Sequence, residues 1–315
     1  MSFKEMIENI DMTDWKAPTV GEDIPHGDMP GDKVEIGEDH IKKANLIFPV
    51  LMEKVKEASK TNKTGKVVVA VCGGSGVGKS ETASLLSYYF NDLGIKCYTL
   101  SGDNYPRRIP KYNDAERLRI FREAGLKQLI DDCEYTKEHF EIINKFQNEE
   151  MDADWEKTKD YPWMSSYIKG GVKGLKGYLG TSNETNFEMV ENILREFKDG
   201  FDKVWLKRMG RTETQLWFEE MDFSETGVII VEWTHGNSDC FKGVDVPVLL
   251  NSTPEETLAH RRARNRDGKT DSPFTMRVLE VEQGLLHSQA KKAKIIVSKA
   301  GELLNFEEYK KLMGE

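Results

Sequence analysis

Residues 67–86 read VVVAVCGGSGVGKSETASLL, and no other stretch constrains the fold as strongly. An apolar β-branched run, Val68 to Cys72, breaks into Gly73-Gly74-Ser75-Gly76-Val77-Gly78-Lys79-Ser80, and a helical pattern follows to about Leu93. Strand, G-x-x-x-x-G-K-[ST] and helix in that order make a phosphate-cradling loop. The glycines let backbone N–H groups face phosphate oxygens, and the positive end of the helix adds to the attraction. Gly73 to Ser80, with Glu81 in the first helical turn, are the expected nucleotide contacts. Lys79 reaches the outer phosphates, and the Ser80 hydroxyl suits Mg²⁺. The loop alone does not separate a GTPase, a motor ATPase and a kinase. An N-K-x-D-like guanine signal is absent after the late strands, where LLNSTPEE and VSKAGE stand instead.

Further strands are expected over 95–101, 227–233, 246–252 and 293–299, alternating with helices. That alternation predicts an α/β fold, a doubly wound parallel sheet covered on both faces. The helix after the fourth strand opens with Thr253-Pro254-Glu255-Glu256, a capping box with proline in the first turn. Residues 67–105 and 227–315 thus form the core, preceded by an N-terminal arm and helix, 1–66. Within 1–66, residues 1–38 are expected to lie irregularly on the surface. A helix over 40–60 should kink or divide at Pro49. Residues 106–226 carry apolar side chains at helical spacing through NFEMVENILREFKDGFDKVWLKRM, interrupted by YPWMSSYIKGGVKGLKGYLGTSNET with its glycines, lysines and aromatics. They are expected to form a helical insertion with a glycine-rich loop, on the acceptor side of the site.

The net charge of −9 opposes nucleic acid as a partner, because phosphate backbones need a basic footprint. No apolar run reaches membrane-spanning length, and the N-terminus lacks the layout of a secretory signal. The four cysteines show no metal-ligand spacing, so reduced thiols in the cytoplasm are expected, with Cys72 a small buried apolar residue.

Asp103, in LSGDNYPRR, follows the second strand at the edge where open α/β sheets bind ligands. A carboxylate there can accept a proton from an attacking hydroxyl and help hold Mg²⁺, although Ser-Gly-Asp-Asn is also good turn chemistry. Tyr105 and Arg108 would extend along the acceptor side. Glu232 ends the hydrophobic third strand, on the metal side, and His235 lies just beyond it. Arg211 precedes that strand as a further acceptor candidate. Four arginines in AHRRARNRDG form a local basic patch, with Arg262 and Arg266 on one helix face. Closing over a triphosphate as a lid, they would stabilise charge on the transferring group; the bland alternative is a solvated basic helix end.

Taken in order, GGSGVGKS, SGDNY, VIIVE and RRARNRD resemble the uridine kinase/phosphoribulokinase group of P-loop kinases over roughly 67–105 and 227–300. The resemblance implies ATP and Mg²⁺, Asp103 as base, Glu232 on the metal side and the arginine stretch as lid. Two features depart from the group. Trp233 stands where glycine usually follows the glutamate, and the insertion is longer and more helical. Separately, RMGRTETQLWFEEMDFSETGVIIVEWTHGNSD is similar to the kinase part of bifunctional α-galactosidase–sucrose kinases, which implies a sugar hydroxyl as acceptor. The expectation is an ATP-dependent small-molecule kinase. Uridine/cytidine kinase proper and a non-catalytic nucleotide sensor are the alternatives.

Overall fold

The computed structural model describes residues 3–21, 24–31, 33–264 and 272–314. Strand β1 (Val67–Gly73) is buried along its whole length and lies mid-sheet, where a nearly unbroken β-branched run belongs. It pairs in parallel with β5 (Val228–Glu232) on one side and β6 (Val246–Leu250) on the other. Beyond β5 lies β2 (Cys97–Ser101), and beyond β6 lie β7 (Ile295–Val297) and the short antiparallel β8 (Leu303–Leu304). The order β2-β5-β1-β6-β7 is the doubly wound parallel sheet expected from the sequence, with one antiparallel edge strand added.

The period of two along β1 divides the core. Val67, Val69 and Val71 face α2 (Glu38–Ser59) and α3 (Lys79–Asp92), meeting Ile47, Leu51, Ala83 and Leu86. Val68 and Ala70 face the other way, toward α7 (Phe187–Asp199), with Val190 and Leu194. Each such fully buried aliphatic side chain is worth about 1.5–3 kcal/mol. Helix α2 runs unbroken through Pro49, giving up one backbone hydrogen bond rather than dividing.

The N-terminal arm is more embedded than a surface strap. Helix α1 (Phe3–Glu8) buries Ile7, and Trp15 packs its ring 5.0 Å from Phe48 and 5.6 Å from Tyr89.

The insertion contains α4 (Pro110–Asp131), α5 (Lys137–Asn148), α6 (Met164–Lys176) and α7, and the sequence reading needs two corrections there. The glycine-rich stretch is helix α6, not a loop. Cβ atoms on Gly171 and Gly174 would fall 2.5 Å from Phe121 and from Ala124, so these glycines let α6 lie close against α4. The helical reading also fails after Gly200, which ends α7 in the left-handed conformation (φ 86°). Residues 203–222 form instead an antiparallel hairpin, β3 (Lys203–Met209) and β4 (Leu216–Asp222).

After β6, Thr253 and Glu256 make the reciprocal capping-box hydrogen bonds, and α8 (Leu258–Arg264) follows. Helix α9 (Pro273–Gln289) packs Val278 and Val281 onto the insertion, and α10 (Phe306–Leu312) closes the chain.

Candidate nucleotide and acceptor site

The turn out of β1 is possible only with glycine. Gly73 has φ 153°, and a Cβ there would lie 2.5 Å from the Leu250 carbonyl oxygen. Gly78 caps α3 in the left-handed region (φ 95°), where the helix presents its free N–H groups to the loop. Lys79 Nζ bends back to donate to the Gly74 carbonyl at 3.1 Å. One neighbour has no signal in the sequence: His40, from the start of α2, lies 3.0 Å from where a Gly78 Cβ would stand.

Register brings the two carboxylates to the same edge. Glu232 pairs with Val71, two residues before Gly73, and with Ser101, two residues before Asp103. Asp103 sits in a 3₁₀ turn, Gly102–Asn104, exposed between two buried neighbours. Ser80 Oγ, Glu232 and Asp103 are hard oxygen donors of the kind Mg²⁺ takes, and the glycine cradle suits a polyphosphate. A narrow cleft opens beside the loop, lined by Gly74, Ser75, Thr253, Thr257, Arg261 and Glu282 among others.

Within the insertion lies a polar network. Glu184, nearly inaccessible, is paired with Arg117 at 2.6 Å and accepts from Asn113 Nδ2 (3.1 Å) and the Gly180 N–H (2.7 Å). Burial alone would raise its carboxyl; Arg117 and these donors hold it below the usual range. Tyr178 donates to Asn113 Oδ1 at 2.9 Å and accepts from Arg108 Nη1 at 3.0 Å. His235 packs on Gly180, and burial pushes its imidazole down to about 4, with Glu184 opposing. Burial raises the Glu282 carboxyl; Arg117 and Lys79 oppose that shift, while Glu184 and Asp103 reinforce it. Glu282 lines the cleft beside Gly74 and Ser75.

The candidates from sequence fall into three groups. Gly73 to Glu81, Asp103, Glu232 and His235 gather around this edge, while Arg108 lies against Tyr178 and Glu116 of the insertion. Tyr105 does not line it: its ring is fully buried in the core with Phe187 and Trp233, because the 3₁₀ turn directs it inward. Arg211 is exposed on the β3–β4 turn. Of the arginine patch, Arg262 is exposed on α8, while Arg261 is buried and donates to the Pro254 carbonyl and Thr257 Oγ1, both at 2.6 Å. Arg266 lies outside the described residues. Asn113, Arg117, Glu184 and Glu282 were missed, since nothing local marks them as neighbours of a site far off in the chain.

The sheet order, the glycine loop at the end of its central strand and the flanking carboxylates define a P-loop protein of the kinase type. The likeness to α-galactosidase–sucrose kinases extends well beyond the hairpin segment. The chain is 40% identical over 251 residues, 80% of its length, to the bifunctional alpha-galactosidase/sucrose kinase AgaSK of Mediterraneibacter gnavus. It spans only 22% of that relative. No family model matches. Among solved structures, D-glycerate 3-kinase from Cryptococcus neoformans var. grubii is 11% identical, with TM-score 0.48, covering 86% of this chain and 99% of that one. A possible uridine kinase from Bacillus stearothermophilus is 14% identical, with TM-score 0.36, covering 78% and 98%. The fold assignment rests on strand order and loop rather than on these scores. Among the described residues no helix is long and apolar enough to cross a membrane.

Proposed function

We propose that this chain transfers the γ-phosphoryl group of Mg-ATP to a hydroxyl of a sugar. The observation that carries the reading is the register of Glu232 between Val71 and Ser101, which brings the phosphate loop and the Asp103 turn to the same end of the sheet, on either side of Glu232. The sugar follows from the relative. Of the two activities in its name, the kinase is the one a phosphate loop serves.

The loop from Gly73 to Ser80 holds the phosphates, and Lys79 leaves the Gly74 carbonyl to pair with the outer ones. Ser80 and Glu232 would hold Mg²⁺, which would supply charge neutralisation to the phosphates. Asp103 accepts the proton of the acceptor hydroxyl and orients it in line with the phosphoryl group. Arg262, exposed on α8, supplies positive charge toward the transferring group. Arg108 and neutral His235 face the acceptor, positioned by the Asn113–Arg117–Glu184–Tyr178 network of the 106–226 insertion. The protein contributes positioning and electrostatics, not covalent chemistry. Free cysteines fit a reducing compartment, and we place the protein in the cytoplasm.

The test is ADP release with Mg-ATP across sucrose, other sugars, glycerate, uridine and cytidine, with Asp103→Ala as control. Sugar-dependent release that the variant loses supports the reading. Saturable turnover of uridine or cytidine replaces it with a nucleoside kinase. ATP binding with no acceptor-dependent release replaces it with a sensor.

A further inference from the structure

The N-terminal arm meets the Asp103 turn at Asp28. Asp28 lies beside edge strand β2, its side chain 8% exposed and paired at 2.8 Å with Arg208, itself 5% exposed. Its Oδ1 accepts from the Ser101 N–H at 2.7 Å and from Asn104 Nδ2 at 3.0 Å. Its Oδ2 accepts from the Tyr98 hydroxyl at 2.9 Å and from Arg208 Nη1 at 2.8 Å. Arg208 in turn donates to the Tyr98 oxygen at 2.9 Å and to Glu219 at 3.0 Å. The Asn104 amide oxygen accepts the Met209 N–H at 3.0 Å, tying the same turn to the β3–β4 hairpin.

Two of these partners bracket Asp103, and the opposite side of the turn is fixed as well. A Cβ on Gly102 would fall 1.9 Å from the Trp233 ring. An exposed carboxylate on a short turn has several rotamers and a flexible backbone to place it. Here the backbone is clamped by a buried, charge-assisted network on one side and a ring on the other.

We propose that Asp28 is a positioning residue for the transfer: by holding Ser101 and Asn104 it sets the Asp103 turn, which makes the N-terminal arm part of the catalytic machinery. The inference rests on Asp103 acting as base. A carboxylate that merely sealed the edge of β2 would affect stability alone; one that sets Asp103 must affect kcat selectively.

The experiment compares full-length wild type, Asp28→Asn, Tyr98→Phe and Asp103→Ala for kcat, KM for ATP, KM for the sugar, ATP affinity and thermal midpoint. Asp28→Asn should lower kcat about 10- to 100-fold, the range expected for a displaced reacting group, with KM for ATP within about threefold of wild type. Tyr98→Phe removes one donor, leaves both turn contacts in place and should lower kcat by less, which keeps the test available if Asp28→Asn does not fold. Wild-type kcat in a folded Asp28→Asn overturns the proposal. So does a loss of turnover that only tracks the folded fraction, or, where Asp28→Asn is unfolded, wild-type kcat in Tyr98→Phe. If Asp103→Ala keeps its turnover, the functional reading fails instead, and the two failures are told apart.

Discussion

The ring of Trp233 occupies the place where a side chain on Gly102 would begin, 1.9 Å from the ideal Cβ position. The large residue after Glu232 is thus matched by the absence of one before Asp103, and the two carboxylate-bearing segments interlock. Gly102→Ala should therefore displace the Asp103 turn and lower kcat by about 100-fold, the scale associated with an ångström of misplacement. Trp233→Ala in the same chain should return part of that loss. A double-mutant cycle in kcat checks it, and additive losses would contradict the interlock.

Glu184→Gln tests the acceptor network. The change leaves Arg117, 18% exposed, without its buried carboxylate partner, and breaking such a pair costs about 3 kcal/mol or more. We expect a lower denaturation midpoint and a raised KM for the acceptor, with ATP affinity near wild type. Parallel denaturation curves and initial-rate kinetics measure both.

His235 sets a pH dependence of stability. Its folded-state pKa is pushed down to about 4, below the ordinary value of 6.5, so between these values the unfolded chain binds a proton that the folded chain refuses. Stability from this group is intact above pH 6.5 and falls as pH drops through the window, by at most about 1.4 kcal/mol per unit. Urea denaturation at stepped pH should show a shallower decline for His235→Gln than for wild type.

The thiols should separate by burial. Cys72 and Cys97 are pushed up to about 12, Cys72 fully buried, whereas Cys133 and Cys240 are exposed. A thiol reagent at neutral pH should therefore label Cys133 and Cys240 quickly in the native protein, and all four cysteines after denaturation. Rapid labelling of Cys72, beside the phosphate loop, would contradict the packing described.

These contrasts show where the sequence was legible. The phosphate loop and the parallel strands are local patterns, and Glu232 and Asp103 could be assigned to the edge because strands of known direction end there. The hairpin at 203–222 was not, since Leu206 and Met209 keep a helical spacing while only Val204 and Leu206 show the alternation of a strand. The available signal was Gly200, a left-handed stop at the end of α7. Gly170, Gly171 and Gly174 read as a loop by composition, yet their spacing puts them on one helix face, against α4. Asp28 had no local signal, because its meaning depends on Tyr98, Ser101, Asn104 and Arg208 converging from elsewhere in the chain.

The most direct test of the account is the product itself. The full chain, Mg-ATP and sucrose are incubated together, and the sugar is weighed by mass spectrometry against an Asp103→Ala control. The expected product is sugar carrying one added phosphoryl group, matched mole for mole by ADP and absent from the control. Unmodified sugar alongside free phosphate, or a phosphorylated nucleoside where uridine replaces sucrose, would contradict it.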